Sequence, residues 1–84
     1  AWERMKFRTN DPNELNILKK ICKLRESLAK KKNIPIQRII EDKYIKAICR
    51  KSSEKLSVIK ILDNFSNQNL KRNILNILKK ERNF

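Results

Sequence analysis

Apolar residues along this 84-residue chain recur at spacings of three and four, which is the repeat of an α-helix, and not at the spacing of two that marks a strand. The chain has no glycine and two prolines, so few positions interrupt the helical pattern. The pattern predicts an all-α domain: a compact bundle of four helices plus one short helical turn, joined by short loops.

The first helix is predicted from Asp11 to about Lys31. Asp11 can accept an N–H of the first turn, Pro12 suits the first helical position, and Glu14 can reach back as a capping-box partner. Pro35 prevents the helix from continuing. The face predicted to be buried carries Leu15, Leu18, Ile21, Cys22, Arg25, Leu28 and Ala29, with Ile17 and Leu24 at its edges.

Further elements are predicted downstream, over residues 35–40 (the short turn), 43–51, 54–62 and 66 to about 82. The predicted N-caps are Asp42, then Ser52 or Ser53, then Ser66. Asn64 is expected to take the left-handed conformation in the last turn. The apolar residues of the turn are Ile36, Ile39 and Ile40. The predicted inward positions of the next two helices are Ile45, Ile48, Cys49, Leu56, Ile59 and Leu62, and one face of the last helix carries Leu70, Ile74, Ile77 and Leu78.

Charge adds a function class to this fold prediction. Lys and Arg number 22 against nine Asp and Glu, giving a net charge of +13 and a pI near 10.2. Such a field attracts polyanions, which predicts a nucleic-acid partner; AT-rich codon usage is the alternative source of the charge. The mean hydropathy of −0.72 and the lack of an apolar leader predict a cytoplasmic protein with no membrane partner.

The chemistry of the side chains argues against catalysis by this segment. There is no histidine to serve as a base, and the nine acidic residues are dispersed. We therefore expect no catalytic residue, metal ligand, cofactor or small-molecule substrate here. Cys22 and Cys49 lie on apolar helical positions, which predicts buried thiols rather than a zinc site or a disulfide.

Basic residues concentrate around the middle of the chain. The candidate nucleic-acid-binding residues are Lys30, Lys31, Lys32, Arg38, Lys43, Tyr44, Lys46, Arg50 and Lys51. Within this set, Lys43, Lys46 and Arg50 repeat at three and four and so share a helix face. Tyr44 could stack on an unpaired base or pack at the core edge. Lys30–Lys32 could instead be a solvated helix end.

Arg25 has two interpretations. It lies at the edge of the predicted core, where it could form a half-buried ion pair with Asp42 or Glu41 beneath the short turn. The alternative is that it contacts RNA.

Short motifs follow one another in a defined order over most of the chain. They are Ala1-Trp2 with Arg4 and Lys6, Leu24-Arg25-Glu26 followed by Ala29, Asn33-Ile34-Pro35, Arg38-Ile39-Ile40-Glu41-Asp42, and Ile45 with Ile48 and Cys49. This series resembles the HRDC domain, a helical module shared by RecQ-type helicases and ribonuclease D, and it is most similar to the ribonuclease D form. The chain departs from that pattern in having Leu24 for a tryptophan, Ser52 or Ser53 for a proline, and no glycine between the last two helices.

The resemblance implies a division into residues 1–10, a connecting segment from a preceding domain, and residues 11–84, the HRDC-like domain. It implies an accessory domain of a 3′–5′ exoribonuclease that trims tRNA precursors and contacts the RNA backbone through a basic surface. Divalent metal ions would belong to the parent's nuclease domain, which would itself be a partner. Two alternatives are a scaffolding or protein-interaction domain, and the DNA-binding HRDC domain of a RecQ-type helicase.

Overall fold

The computed structural model describes residues 7–82, and the regular structure within that range is entirely α-helical. The elements are α1 (Pro12–Lys32), α2 (Ile36–Ile39), α3 (Asp42–Arg50), α4 (Lys55–Leu62) and α5 (Gln68–Arg82). The predicted bundle of four helices and one short turn is confirmed, with α2 as the turn. The Trp2 motif from Ala1 to Lys6 lies outside the described residues.

Helix α1 is the centre of the bundle. It packs against α2, α3 and α5, while α4 packs against α3. The fully buried side chains at these contacts are Ile17, Leu18, Ile21, Ile45, Ile48, Val58, Leu70, Ile74 and Leu78. Burying one such aliphatic side chain stabilises the fold by about 1.5–3 kcal/mol, so the long amphipathic α1 holds the shorter helices in place.

The N-terminus of α1 is capped by Asp11, as predicted, with its carboxylate accepting the Asn13 N–H at 2.9 Å. The predicted capping box is wrong, because Glu14 instead accepts the Thr9 hydroxyl at 2.9 Å. The Thr9 oxygen in turn accepts the Asp11 N–H at 3.1 Å. That N–H is the donor a capping-box glutamate would bind, and Thr9 already satisfies it.

Asn33, not Asn64, supplies the left-handed residue, and it is the only residue of positive φ in the described range. Asn33 ends α1 with φ 55°, and the following Ile34 N–H reaches back to the Ala29 carbonyl at 3.1 Å. The turn after α4 closes instead through the Asn64 N–H to the Ile61 carbonyl at 3.2 Å. The prediction for Asn64 is therefore wrong, because that turn needs no left-handed residue.

Helix α4 turns a different face inward from the predicted one. Val58 is fully buried and Leu62 nearly so, whereas Leu56 is 76 % exposed and Ile59 is half-buried. Positions 56 and 58 lie about 200° apart around a helix, so burying Val58 turns Leu56 to solvent. The inward assignment of Leu56 is wrong.

Three of the predicted N-caps also differ from the structure. Asp42 is the first residue of α3 rather than its cap, and Glu54 occupies the cap position of α4 without a side-chain hydrogen bond. Ser66 is replaced by Asn67, whose side-chain oxygen accepts the Leu70 N–H at 3.1 Å. Glu41 likewise occupies the cap position of α3 without a side-chain hydrogen bond, so α5 is the one of these three helices that has a side-chain cap.

Arg82, at the end of α5, joins three distant parts of the chain. Its guanidinium donates to the Asp11 carboxylate at 2.7 Å and to the hydroxyl of the buried Ser52 at 3.1 Å. This hydrogen bond lowers the pKa of Asp11 below its usual range. The pair therefore stabilises the fold at neutral pH, and that contribution is lost as pH falls through the lowered pKa.

The two cysteines are buried thiols, as predicted, and no disulfide joins them. Burial raises the pKa of Cys49 to about 12 and also raises the pKa of Cys22. Both thiols are consequently neutral at pH 7, and they serve as small apolar groups of the core.

Candidate nucleic-acid interface

A buried arginine fixes the α1–α2–α3 corner, where many of the candidate basic residues lie. Arg25 is 3 % exposed, and its Nη1 donates to the Ile40 carbonyl at 3.2 Å and to an Asp42 carboxylate oxygen at 2.5 Å. The predicted ion pair with Asp42 is thus confirmed. Because the guanidinium is buried within the corner, Arg25 is a structural residue and does not face a ligand.

Lys30, Lys31 and Lys32 form the exposed last turn of α1. The negative end of the helix dipole favours cations at this position. Within residues 7–82, no ion pair engages these three lysines or the exposed Arg38 of α2. These four side chains, here called the basic end, carry positive charge that no carboxylate of the described chain neutralises.

The structure brings two members of the basic end to one surface hollow. Lys32 and Arg38 line it from α1 and α2, and the loop Asn64–Asn67 lines it from the other side. We call this feature the basic hollow. Two cations on separate elements, with polar side chains opposite them, suit a phosphate group.

The loop Asn64–Asn67 was absent from the candidate residues, although its amide and hydroxyl groups line the basic hollow. The polar sequence Asn-Phe-Ser-Asn was the available signal, but only the packing of α5 against α1 shows that it faces Lys32 and Arg38.

The candidate cations of α3 and of the turn after it are less free than the basic end, because they contact neighbouring side chains or are half-buried. Lys43 contacts Glu41 at 3.3 Å, and Lys51 contacts Glu54 at 3.6 Å. Arg50 lies over the Phe7 ring at 5.3 Å, and Lys46 is half-buried. Exposed ion pairs of this kind contribute about 0–1 kcal/mol, so a phosphate can displace them. The carboxylates of Glu41 and Glu54 nevertheless compete with a phosphate for these lysines, whereas no described carboxylate does so at the basic end.

Tyr44 packs at the edge of the core. Its ring meets Phe65 edge to face, with centroids 5.3 Å apart and an interplanar angle of 88°, and the Lys43 ammonium lies 5.1 Å from its centroid. These neighbours restrict access to the ring, so the geometry favours the packing interpretation over base stacking.

The described residues offer neither a metal centre nor a membrane span. No group of three or more His, Cys, Asp or Glu side chains between residues 7 and 82 could hold a metal ion. No helix in that range is long and apolar enough to cross a membrane.

These features define a small helical module with a strongly cationic end. A model of the HRDC domain matches residues 14–80, which is most of the chain, and the chain therefore belongs to the HRDC domain family. A ribonuclease D of Granulibacter bethesdensis (strain ATCC BAA-1260 / CGDNIH1) is 43 % identical over 51 residues. The matched region covers 61 % of this chain and 13 % of that protein. No solved structure gives a significant match.

The family and this relative support a nucleic-acid-associated accessory domain. The HRDC domain is a non-catalytic module, and a ribonuclease is the kind of protein to which this similarity points. Since the chain spans only 13 % of the curated relative's length, the activity of a whole protein is a separate question.

Proposed function

We propose that this chain is a non-catalytic RNA-holding domain of a ribonuclease D, a 3′–5′ exoribonuclease, and that it acts during the trimming of tRNA precursors. Membership of the HRDC family and the similarity to a ribonuclease D support the class of parent protein. The DNA-binding form found in RecQ-type helicases receives no comparable support from the relative.

The observation that carries this proposal is the basic end with its hollow. Lys32 and Arg38 meet there from different helices, and no described carboxylate pairs with either. Phosphate contacts fix the position of a strand without reading its sequence. We infer that the domain holds the RNA backbone and tolerates many sequences.

The proposed contacts divide into two groups by their present partners. Lys30, Lys31, Lys32 and Arg38 make the first contacts, and the α3 side (Lys43, Lys46, Arg50 and Lys51) extends them. Tyr44 supports this surface from the core edge, since Phe65 and Lys43 already contact its ring.

Bond cleavage in this proposal belongs to a nuclease domain elsewhere in the longer protein. That domain would use divalent metal ions, and it would be the covalently linked partner of this one. As part of the same proposal, the domain works in the cytoplasm, where a ribonuclease D would meet its RNA.

Matched charge reversals test where RNA binds. Lys31→Glu/Lys32→Glu and Lys79→Glu/Lys80→Glu each reverse two charges in the last turn of a long helix, of α1 and α5 respectively. Fluorescence anisotropy with a labelled single-stranded RNA should show that the α1 variant binds about tenfold or more weaker than the α5 variant. Circular dichroism should show that both variants keep the helical content of the parent chain.

Equal weakening by both variants would show that only the overall charge matters, and the basic end would then not be the site. A stronger effect of the α5 variant would move the site to the last helix. Either result would contradict the proposal.

A further inference from the structure

A second hollow lies between α1 and α5, on residues outside the candidate nucleic-acid set. Its lining is mainly apolar, with Leu24 of α1 and Ile77 of α5 half-buried along it. Lys20 and Lys23 line it from α1 and Lys80 from α5. We call this feature the α1–α5 groove.

Only part of the positive charge of the groove is neutralised by ion pairs with described carboxylates. Lys20 pairs with Glu81, but no ion pair engages Lys23 or Lys80 among the residues that the structure describes. An aliphatic floor between unneutralised ammonium groups matches a ligand with an apolar stripe and carboxylates beside it.

We propose that the α1–α5 groove docks an acidic amphipathic helix of a partner protein. Apolar side chains at i, i+3, i+4 and i+7 of that helix would cover Leu24 and Ile77, and its flanking Asp or Glu residues would pair with Lys23 and Lys80. This inference does not depend on the RNA-holding role, because the groove and the basic end share no residue.

Other occupants fit the groove less well. Nucleic-acid bases stack on aromatic side chains, and the groove lining contains none. A second copy of this chain carries the same net charge of +13 and would be repelled. A small molecule would need an enclosed site with converging polar groups for orientation, whereas this groove is an open hollow that offers only Ser27 and Asn76 beside its lysines.

The test uses the 84-residue chain and a synthetic peptide. The peptide is about 18 residues long, enough for about five helical turns, with leucines at the stated spacing and glutamates beside them. Its affinity and binding site are measured by ¹H–¹⁵N chemical-shift titration. A scrambled peptide of the same composition, which lacks the apolar stripe, should bind about tenfold or more weaker.

Two variants address the floor and the rim of the groove separately. Leu24→Trp fills the floor with the residue that the HRDC pattern has at this position, so the fold should accept it. Lys23→Glu/Lys80→Glu reverses the rim charge. Each should weaken peptide binding about tenfold or more, whereas the equal charge reversal Lys31→Glu/Lys32→Glu should change it less than about threefold.

When the peptide binds, the chemical shifts that change should belong to residues around Leu24 and Ile77. A single-stranded RNA bound at the basic end should not displace the peptide. Absence of binding, equal binding of the scrambled peptide, or wild-type affinity of Leu24→Trp would overturn the proposal. Shift changes confined to the basic end would do the same, because they would show only charge attraction. None of these results bears on whether RNA binds.

Discussion

At the scale of single residues, Arg25 shows how a charged side chain can be structural in a strongly basic protein. It lies in the Leu24-Arg25-Glu26 motif that resembles the HRDC pattern, and it binds the Ile40 carbonyl and Asp42. Its Nε is buried without a hydrogen-bond partner among the described residues. The guanidinium joins α1 to the chain on both sides of Glu41, although this one donor has no partner there.

Replacing this arginine tests that role. Arg25→Ala should lower the free energy of unfolding by about 2–3 kcal/mol, because it leaves the Ile40 carbonyl without its donor and opens a cavity. The part of this loss that comes from the Asp42 pair is small, since that carboxylate is half exposed and solvent screens it. Urea denaturation measures the loss.

The matched control for this change is Arg72→Ala, an exposed arginine of α5. Its effect should stay within about 0.5 kcal/mol. If the two variants were equally stable, Arg25 would not join the elements as described, and its burial would be incidental.

At the scale of elements, helices whose apolar residues lie on one side were more predictable than α4. The apolar spacing of α1, α3 and α5 indicates one inward face, and Leu18, Ile45 and Ile74 lie in the core as expected. Helix α4 has eight residues, and its apolar residues are Leu56, Val58, Ile59, Ile61 and Leu62. These positions surround much of the helix, so the sequence does not select the buried face, and contact with α3 decides it.

The side-chain cap at the N-terminus of α5 can be tested by substitution. Asn67→Ala should lower the free energy of unfolding by about 1 kcal/mol, because the Leu70 N–H loses its acceptor. Thermal or urea unfolding measures the change. Ser66→Ala is the adjacent control and should have little effect, since Ser66 is exposed and makes no described cap contact. The reverse order would show that α5 begins at Ser66, as the sequence alone predicts.

At the scale of the whole molecule, the sequence indicated the basic end but not the loop that faces it. Lys30–Lys32 and Arg38 are close along the chain, so their proximity was expected. The approach of Lys32 and Arg38 to the loop Asn64–Asn67 is a tertiary contact between parts of the chain that are distant in sequence. The pairing of Lys43 with Glu41 and of Lys51 with Glu54 separates these cations from the unneutralised basic end.

A strong dependence on salt is expected if the domain holds RNA through its phosphates. If about four to six phosphates are neutralised, the logarithm of the binding constant for single-stranded RNA should fall with the logarithm of salt concentration with a slope of about −3 to −4. Removing two phosphate contacts by Lys31→Glu/Lys32→Glu should make that slope less steep by about 1.4 or more.

The most direct test of the central claim is therefore a salt series of RNA-binding isotherms, measured by anisotropy on the parent chain and on Lys31→Glu/Lys32→Glu. We expect a slope of about −3 to −4 for the parent and a clearly shallower slope for the variant. Absence of binding at low salt, or the same slope for both proteins, would contradict the claim that the basic end holds the RNA backbone.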